Sequence, residues 1–172
     1  YLREFWEKSG LSFPAGRYYE DLATIPKLLA EADRIVYKKE VLYYYLTRED
    51  SITHSSDFSR SYADRTRAVD ELLDFFREQS LDQTYRDELE YLVFENTWFV
   101  PSKEIVLNDR KSIYLDKFRE YSLEKYPDLE NNRYISELSG KDKILWALIR
   151  KKMYAVMVLM SQLRRLKERI TG

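Results

Sequence analysis

Apolar residues recur at three- and four-residue spacing over most of this chain, a period that predicts helices. Leu2, Phe5 and Trp6 share one face of a short helix within residues 1–13, with Gly10 as its left-handed end. A second helix begins near Asp21 and turns Leu22, Ile25, Leu28 and Leu29 inward. Pro26 is tolerable there only if the helix starts near Leu22, because the amide it lacks would bond a first-turn carbonyl. From Ser61 onward the pattern stays helical. Val69, Leu72, Leu73, Phe75 and Phe76 mark one segment. Leu89, Leu92, Val93 and Phe94 mark the next, capped by Asp82 or Thr84 and broken by Pro101. Ile113, Leu115, Phe118 and Leu123 mark a third, stopped by Pro127. Asn131 and Asn132 fall in a loop or short helix. Ser139, with Asp142 three residues on, resembles a capping box that opens a last helix running to about Arg169.

Two runs break the helical period. Residues 34–38 and 41–46 are rich in β-branched and aromatic side chains with little between them, and they predict two short strands. The polar stretch 47–60 reads as a loop. The expected fold is therefore mainly α: a helical, bundle-like C-terminal region with one short β-hairpin near residues 34–46.

Composition narrows the chemistry. Apolar residues make up 44% of the 172 and charged residues 34%, so a packed core is expected and global disorder is not. With only 4 glycines, a barrel or sandwich dense in tight turns is disfavoured. Cysteine is absent, which excludes disulfides, thiolate metal sites and a cysteine nucleophile and fits a reducing cytoplasm. No stretch reads as a signal segment, and the longest uncharged apolar run of the tail, Met153 to Leu163, is too short to span a bilayer.

The informative motifs lie near the N-terminus. Phe13-Pro14-Ala15-Gly16-Arg17-Tyr18-Tyr19-Glu20-Asp21-Leu22-Ala23-Thr24 is an aromatic-Pro-x-Gly turn leading through Tyr-Glu-Asp into a helix. Leu42-Tyr43-Tyr44-Tyr45-Leu46-Thr47-Arg48-Glu49-Asp50-Ser51-Ile52-Thr53 follows it. Together these blocks resemble the acceptor-side signature of bacterial family 2 glycosyltransferases, inverting enzymes of the GT-A type, in which the second block usually reads Tyr-Tyr-Arg-x-Arg-x-Gly-Ser-Ile. Leu46 stands where that pattern has its first arginine and Asp50 where it has its glycine. The resemblance is close over residues 1–56 and loose beyond, which divides the chain into an acceptor-side end of the catalytic domain (1–56), a helical region (57–138) and a basic amphipathic C-terminal helix (139–172).

The resemblance implies transfer of a sugar from a nucleotide-sugar to an acceptor hydroxyl, in cell-envelope or capsule polysaccharide synthesis, with Asp21 as the general base and Glu20 beside it orienting the site. The residues alone allow a plainer role as well, since Asp is among the best helix N-caps. The two roles are compatible: a carboxylate at a helix N-terminus faces unpaired amides and the positive end of the dipole, which suits its charged form. Arg48 is a candidate for the donor diphosphate or a solvated loop arginine. Tyr44, in the alternating run Tyr43 to Tyr45, is a candidate for stacking on a sugar, with core packing as the alternative, and Tyr18 and Tyr19, just before the carboxylates, are candidates to flank an acceptor. His54, the only histidine, has no ligand partner near it in sequence, so no metal site is expected. Ser51 and Thr53 suit loop turns.

Asp-x-Asp and a Gly-rich phosphate loop are missing from the sequence. The resemblance implies that a donor-binding half, with a divalent cation (Mg or Mn), lies outside this chain, and that the chain alone is inactive. The tail adds a second signal. From Lys141 to Gly172 the net charge is +7, against −8 for the remainder. Leu145, Leu148, Ile149, Val156, Leu159, Leu163, Leu166 and Ile170 follow helical spacing, with Lys152 interrupting the seam. Three readings stand: packing within the chain, an interfacial helix on an anionic membrane surface at the inner face of the membrane, or a short coiled-coil homodimer. Expected partners are thus an acceptor saccharide or lipid-linked sugar and the donor-binding half. Nucleic acid is not among them, because aromatics do not interleave with the arginines. The alternative to a transferase is a non-catalytic helical interaction or membrane-association module.

Overall fold

The computed structural model describes residues 2–44, 46 and 58–171. The chain divides into two compact units, Tyr1–Asp82 and Gln83–Gly172. No strand occurs among the described residues, and no described helix is long and apolar enough to cross a membrane.

The first unit holds three helices: α1 (Arg3–Ser9), α2 (Glu20–Glu31) and α3 (Phe58–Glu78). α1 ends where expected, at Gly10 with φ of 65°, a conformation that costs glycine nothing. Trp6 stacks on Phe13 with ring centroids 5.3 Å apart. Most of this unit's core is α2 packed on α3. Ala23, Thr24 and Leu28 of α2 are buried, as are Ala68, Val69, Leu72, Leu73 and Phe76 of α3. Leu29, expected inward, is exposed, because the buried stripe runs through 24 and 28 rather than 25 and 29. Pro26 sits inside α2, which begins at Glu20, so the carbonyl of Leu22 lacks its usual helical donor.

The expected hairpin is not seen among the described residues. The described residues of 34–46 have no strand pairing, and Ile35, Val36, Tyr37 and Val41 to Tyr44 are all exposed. β propensity is mostly a preference for a packed, pleated surface, and an isolated pair of short strands is marginal in water.

α3 ends in a Schellman turn. Ser80 takes φ of 56°, its amide bonds Arg77 O at 2.9 Å, and the Leu81 amide bonds Phe76 O at 2.8 Å. A serine in the left-handed region is strained. Ser80→Gly should raise the stability of the first unit by about 0.5–1 kcal/mol, read from urea unfolding; a loss of stability would show that the serine side chain matters more than its backbone angle.

The second unit is a helical bundle of α4 (Arg86–Phe94), a π-helical segment Glu95–Phe99, α5 (Val100–Asn108), α6 (Tyr114–Lys125), the one-turn α7 (Arg133–Ser136), α8 (Gly140–Arg150) and α9 (Tyr154–Thr171). The N-cap position of α4 is Tyr85, not Asp82 or Thr84, and Tyr85 makes no side-chain cap bond. Pro101 does not end the helix. It occupies the first turn of α5, where its missing amide is tolerated, and the π segment before it shifts the bonding register, with the Val100 amide reaching Glu95 O. Side chains supply donors across that shift: Asn96 Nδ2 bonds Leu92 O at 3.0 Å and the Thr97 hydroxyl bonds Val93 O at 2.7 Å.

Around the π segment lies an aromatic core. Phe94 and Phe99 stack at 5.3 Å, and Trp146 of α8 stands edge-on to both Phe94 (4.7 Å) and Trp98 (4.9 Å). Leu115 and Phe118 of α6 are buried as the spacing predicts, whereas Ile113 lies one residue before the helix and is exposed. Asn132 caps α7, accepting from the Tyr134 amide at 3.0 Å while donating to Asp87 O at 2.9 Å.

The single helix expected over 139–169 is two helices. Lys152 adopts φ of 52°, its amide bonds Ile149 O at 2.9 Å, and the Met153 amide bonds Leu148 O at 2.8 Å. This second Schellman turn closes α8, and α9 starts two residues later. Ser139 occupies the N-cap position of α8 but makes no side-chain cap bond.

Candidate functional site

The Glu-Asp pair opens α2, and the turn before it is fastened to α3. Gly16 (φ 74°) lets the chain reverse after Pro14. Arg17 then forms a bidentate pair with Glu71 at 2.7 and 3.1 Å. The Tyr18 amide donates to Asp64 Oδ2 at 3.1 Å. Arg60 bonds Gly16 O at 3.2 Å and lies over the Tyr18 ring at 4.1 Å. The buried Arg65 covers one face of the Tyr19 ring at 4.2 Å, and the Tyr19 hydroxyl meets Ser61 Oγ at 2.8 Å. Cation–π contacts of this kind contribute about 0.5–2 kcal/mol each.

Tyr19 needs that support. Its φ of 62° is left-handed, a conformation that costs a bulky residue roughly 1–3 kcal/mol. It accepts the first helical bond of α2, from the Ala23 amide at 3.2 Å. The chain therefore turns sharply at Tyr19, and Glu20 and Asp21 become the first two residues of the helix. Asp21 is exposed, and its Oδ1 accepts from the Leu22 amide at 2.8 Å. One oxygen of the carboxylate thus engages the helix start while the side chain stays in contact with solvent. Glu20 is half-buried. Asp21 does not cap α2 from the N-cap position; Tyr19 fills that position with its backbone alone.

Of the other residues singled out from sequence, Tyr18 and Tyr19 each present one ring face to an arginine of α3. Tyr44 is 82% exposed. Arg48, Tyr45, Ser51, Thr53 and His54 lie outside the described residues. Sequence reading missed Arg60, Asp64, Arg65 and Glu71. A signal was present: Arg60, Asp64, Arg67 and Glu71 alternate in sign at three- and four-residue spacing along one face of α3.

The Arg17 guanidinium holds the Glu71 carboxyl below the ordinary carboxylate range, and Arg67, at 3.1 Å, adds to the effect. A carboxyl lowered in the folded state binds fewer protons there than when unfolded. Its stabilisation is complete above the unfolded value and is lost as pH falls through the folded one. Glu71→Gln should therefore flatten the acid limb of the first unit's stability below about pH 4.3. At neutral pH it should cost about 1 kcal/mol, because the pair is partly exposed. Parallel acid limbs for the two proteins in a pH series of urea melts would contradict this.

Among the described residues, no group of three or more His, Cys, Asp or Glu side chains is placed to hold a metal ion. No family model, curated protein or solved structure matches the chain.

Proposed function

We propose that this chain supplies the acceptor side of an inverting glycosyltransferase, with Asp21 as the general base. The supporting observation is the Asp21 carboxylate: it is exposed at the first turn of α2, two residues after a strained left-handed Tyr19 that α3 holds in place. Strain of this kind persists only where the surroundings over-determine it, and it concentrates at working sites.

In this reading the free oxygen of Asp21 accepts the proton of an acceptor hydroxyl as that oxygen attacks the anomeric carbon. The bond to the diphosphate breaks with its electron pair, and the configuration at carbon inverts. Glu20, one residue earlier, orients the acceptor. Tyr18 and Tyr19, braced by Arg60 and Arg65, form a fixed platform that lets the carboxylate wait at one position, the effect that makes an approach productive. The sugar nucleotide is held by a separate donor-binding half. The polysaccharide acceptors of envelope or capsule synthesis are the substrate class that the Tyr-Tyr-Glu-Asp resemblance favours.

The test joins this chain to an N-terminal donor-binding half and measures nucleoside diphosphate release. Release that requires both a saccharide acceptor and this chain is expected. Release at the same rate without the chain would remove it from the reaction.

A further inference from the structure

We infer that the second unit carries an anionic-lipid site in a groove between α5, α8 and α9. The groove encloses about 320 Å³, within the range of small-ligand pockets. Its apolar lining is made by Leu107, Leu145, Met157 and Met160, of which Met157 is buried and Leu107 and Met160 are exposed. Three cations border it: Lys103, Lys141 and Arg164. Each helix repeats one arrangement, a cation one helical turn from an apolar lining residue: Lys103 and Leu107 on α5, Lys141 and Leu145 on α8, Met160 and Arg164 on α9. Residues four apart on a helix share a face, so three helices turn the same pair toward one cavity.

An apolar interior under a cationic border complements an amphiphile with an anionic head. One acidic side chain is also near: Asp142 lies 3.9 Å from Lys103, whose ammonium sits over the Phe99 ring at 4.0 Å. Two methionines in the lining suit a flexible chain, since Met side chains adapt to irregular occupants. The source of the occupant is indicated by what continues beyond the groove. Along α9, Leu159, Leu163 and Leu166 remain exposed, each more than half, and the exposed Arg164, Arg165 and Lys167 lie among them. Apolar and cationic side chains interleaved on an exposed helix suit a bilayer surface carrying anionic lipid. The occupant is accordingly one anionic phospholipid drawn from such a bilayer, its acyl chain along the Leu-Met lining and its phosphate among the three cations.

The site uses only residues of the second unit, so it stands or falls independently of Asp21. The test is co-sedimentation of the full chain with phosphatidylcholine vesicles, with and without phosphatidylglycerol. Binding should require the anionic lipid. Lys141→Glu/Arg164→Glu should weaken it by about tenfold or more, and Met160→Glu should weaken it without touching a cation. Arg3→Glu/Lys8→Glu, which makes the same charge change in α1, should leave it within about twofold. Where the double reversal lowers the melting temperature, Lys141→Gln/Arg164→Gln replaces it with the same expected direction. Equal binding to neutral and anionic vesicles would overturn the site. So would equal losses from the groove and α1 variants, or release by inorganic phosphate alone at matched ionic strength.

Discussion

Asp21→Asn should lower the turnover of the joined enzyme by about 10²–10⁴-fold, the range that a positioned general base contributes. The substitution keeps the size of the side chain and retains an oxygen that can accept from the Leu22 amide, as the Asp21 carboxylate does. Folding stability should thus change by less than about 0.5 kcal/mol, as at an exposed position without a special structural role. Binding of the nucleotide sugar should be unaffected, because the proposed reaction assigns its contacts to the donor-binding half. The expected signature is a fall in kcat with little change in the donor KM, the mark of an interaction made only in the transition state. Glu20→Gln should have a smaller effect on kcat and a larger one on the acceptor KM. Equal turnover by wild type and Asp21→Asn would leave the carboxylate as a helix-terminal charge and nothing more.

The largest structural effect is expected at Trp98. It is 1% exposed, lies in the π segment, meets Trp146 edge-on at 4.9 Å and has the Arg119 guanidinium 5.5 Å from its ring. Trp98→Ala removes one of the two rings, with Phe94, that meet Trp146 of α8, and leaves a cavity too large for the neighbours to fill. The expected cost is about 3–5 kcal/mol. A unit of this size has only about 5–13 kcal/mol in total, so its melting temperature should drop by more than about 10 °C. Leu163→Ala, at a side chain 58% exposed, should change stability by less than about 0.5 kcal/mol. Calorimetry on both variants checks the pair. A loss below about 1 kcal/mol at Trp98 would mean that the aromatic core is not what holds the second unit together.

The helices were legible where burial follows a single face. Val69, Leu72, Leu73 and Phe76, or Leu115 and Phe118, repeat with the helical period because one neighbour covers one stripe. Gly10 announced its own left-handed turn. Ser80 and Lys152 make the same turn without glycine, and a serine or lysine carries no such mark. Lys152 showed itself only indirectly, as a charge in an apolar seam. Pro101 misled for a related reason: a proline that ends one helix and a proline in the first turn of the next look alike in sequence, and the π segment that absorbs it has no residue signature. The hairpin failed because residues such as Ile35, Val36 and Tyr43 record a preference for cover, while the cover itself is not written in them.

The candidate carboxylates were visible in the sequence, and the groups that brace the turn before them were not. Glu20 and Asp21 stood out through the turn that precedes them. The restraint on Tyr18 and Tyr19 comes from Ser61, Asp64 and Arg65, more than forty residues along the chain, and only folding brings these groups to the turn. A left-handed tyrosine is likewise a product of that long-range bracing, since local propensity opposes it.

The claim that Asp21 removes a proton from the acceptor is tested most directly by chemical rescue. In the joined enzyme, Asp21→Ala deletes the carboxylate and leaves room for a small one from solution. Added formate should raise transfer by the Asp21→Ala enzyme by about tenfold or more, a fraction of what the positioned base supplies, and should leave the wild-type rate unchanged. An Asp21→Ala enzyme that transfers sugar at the wild-type rate without formate, or one that ignores formate at every concentration, would contradict the assignment.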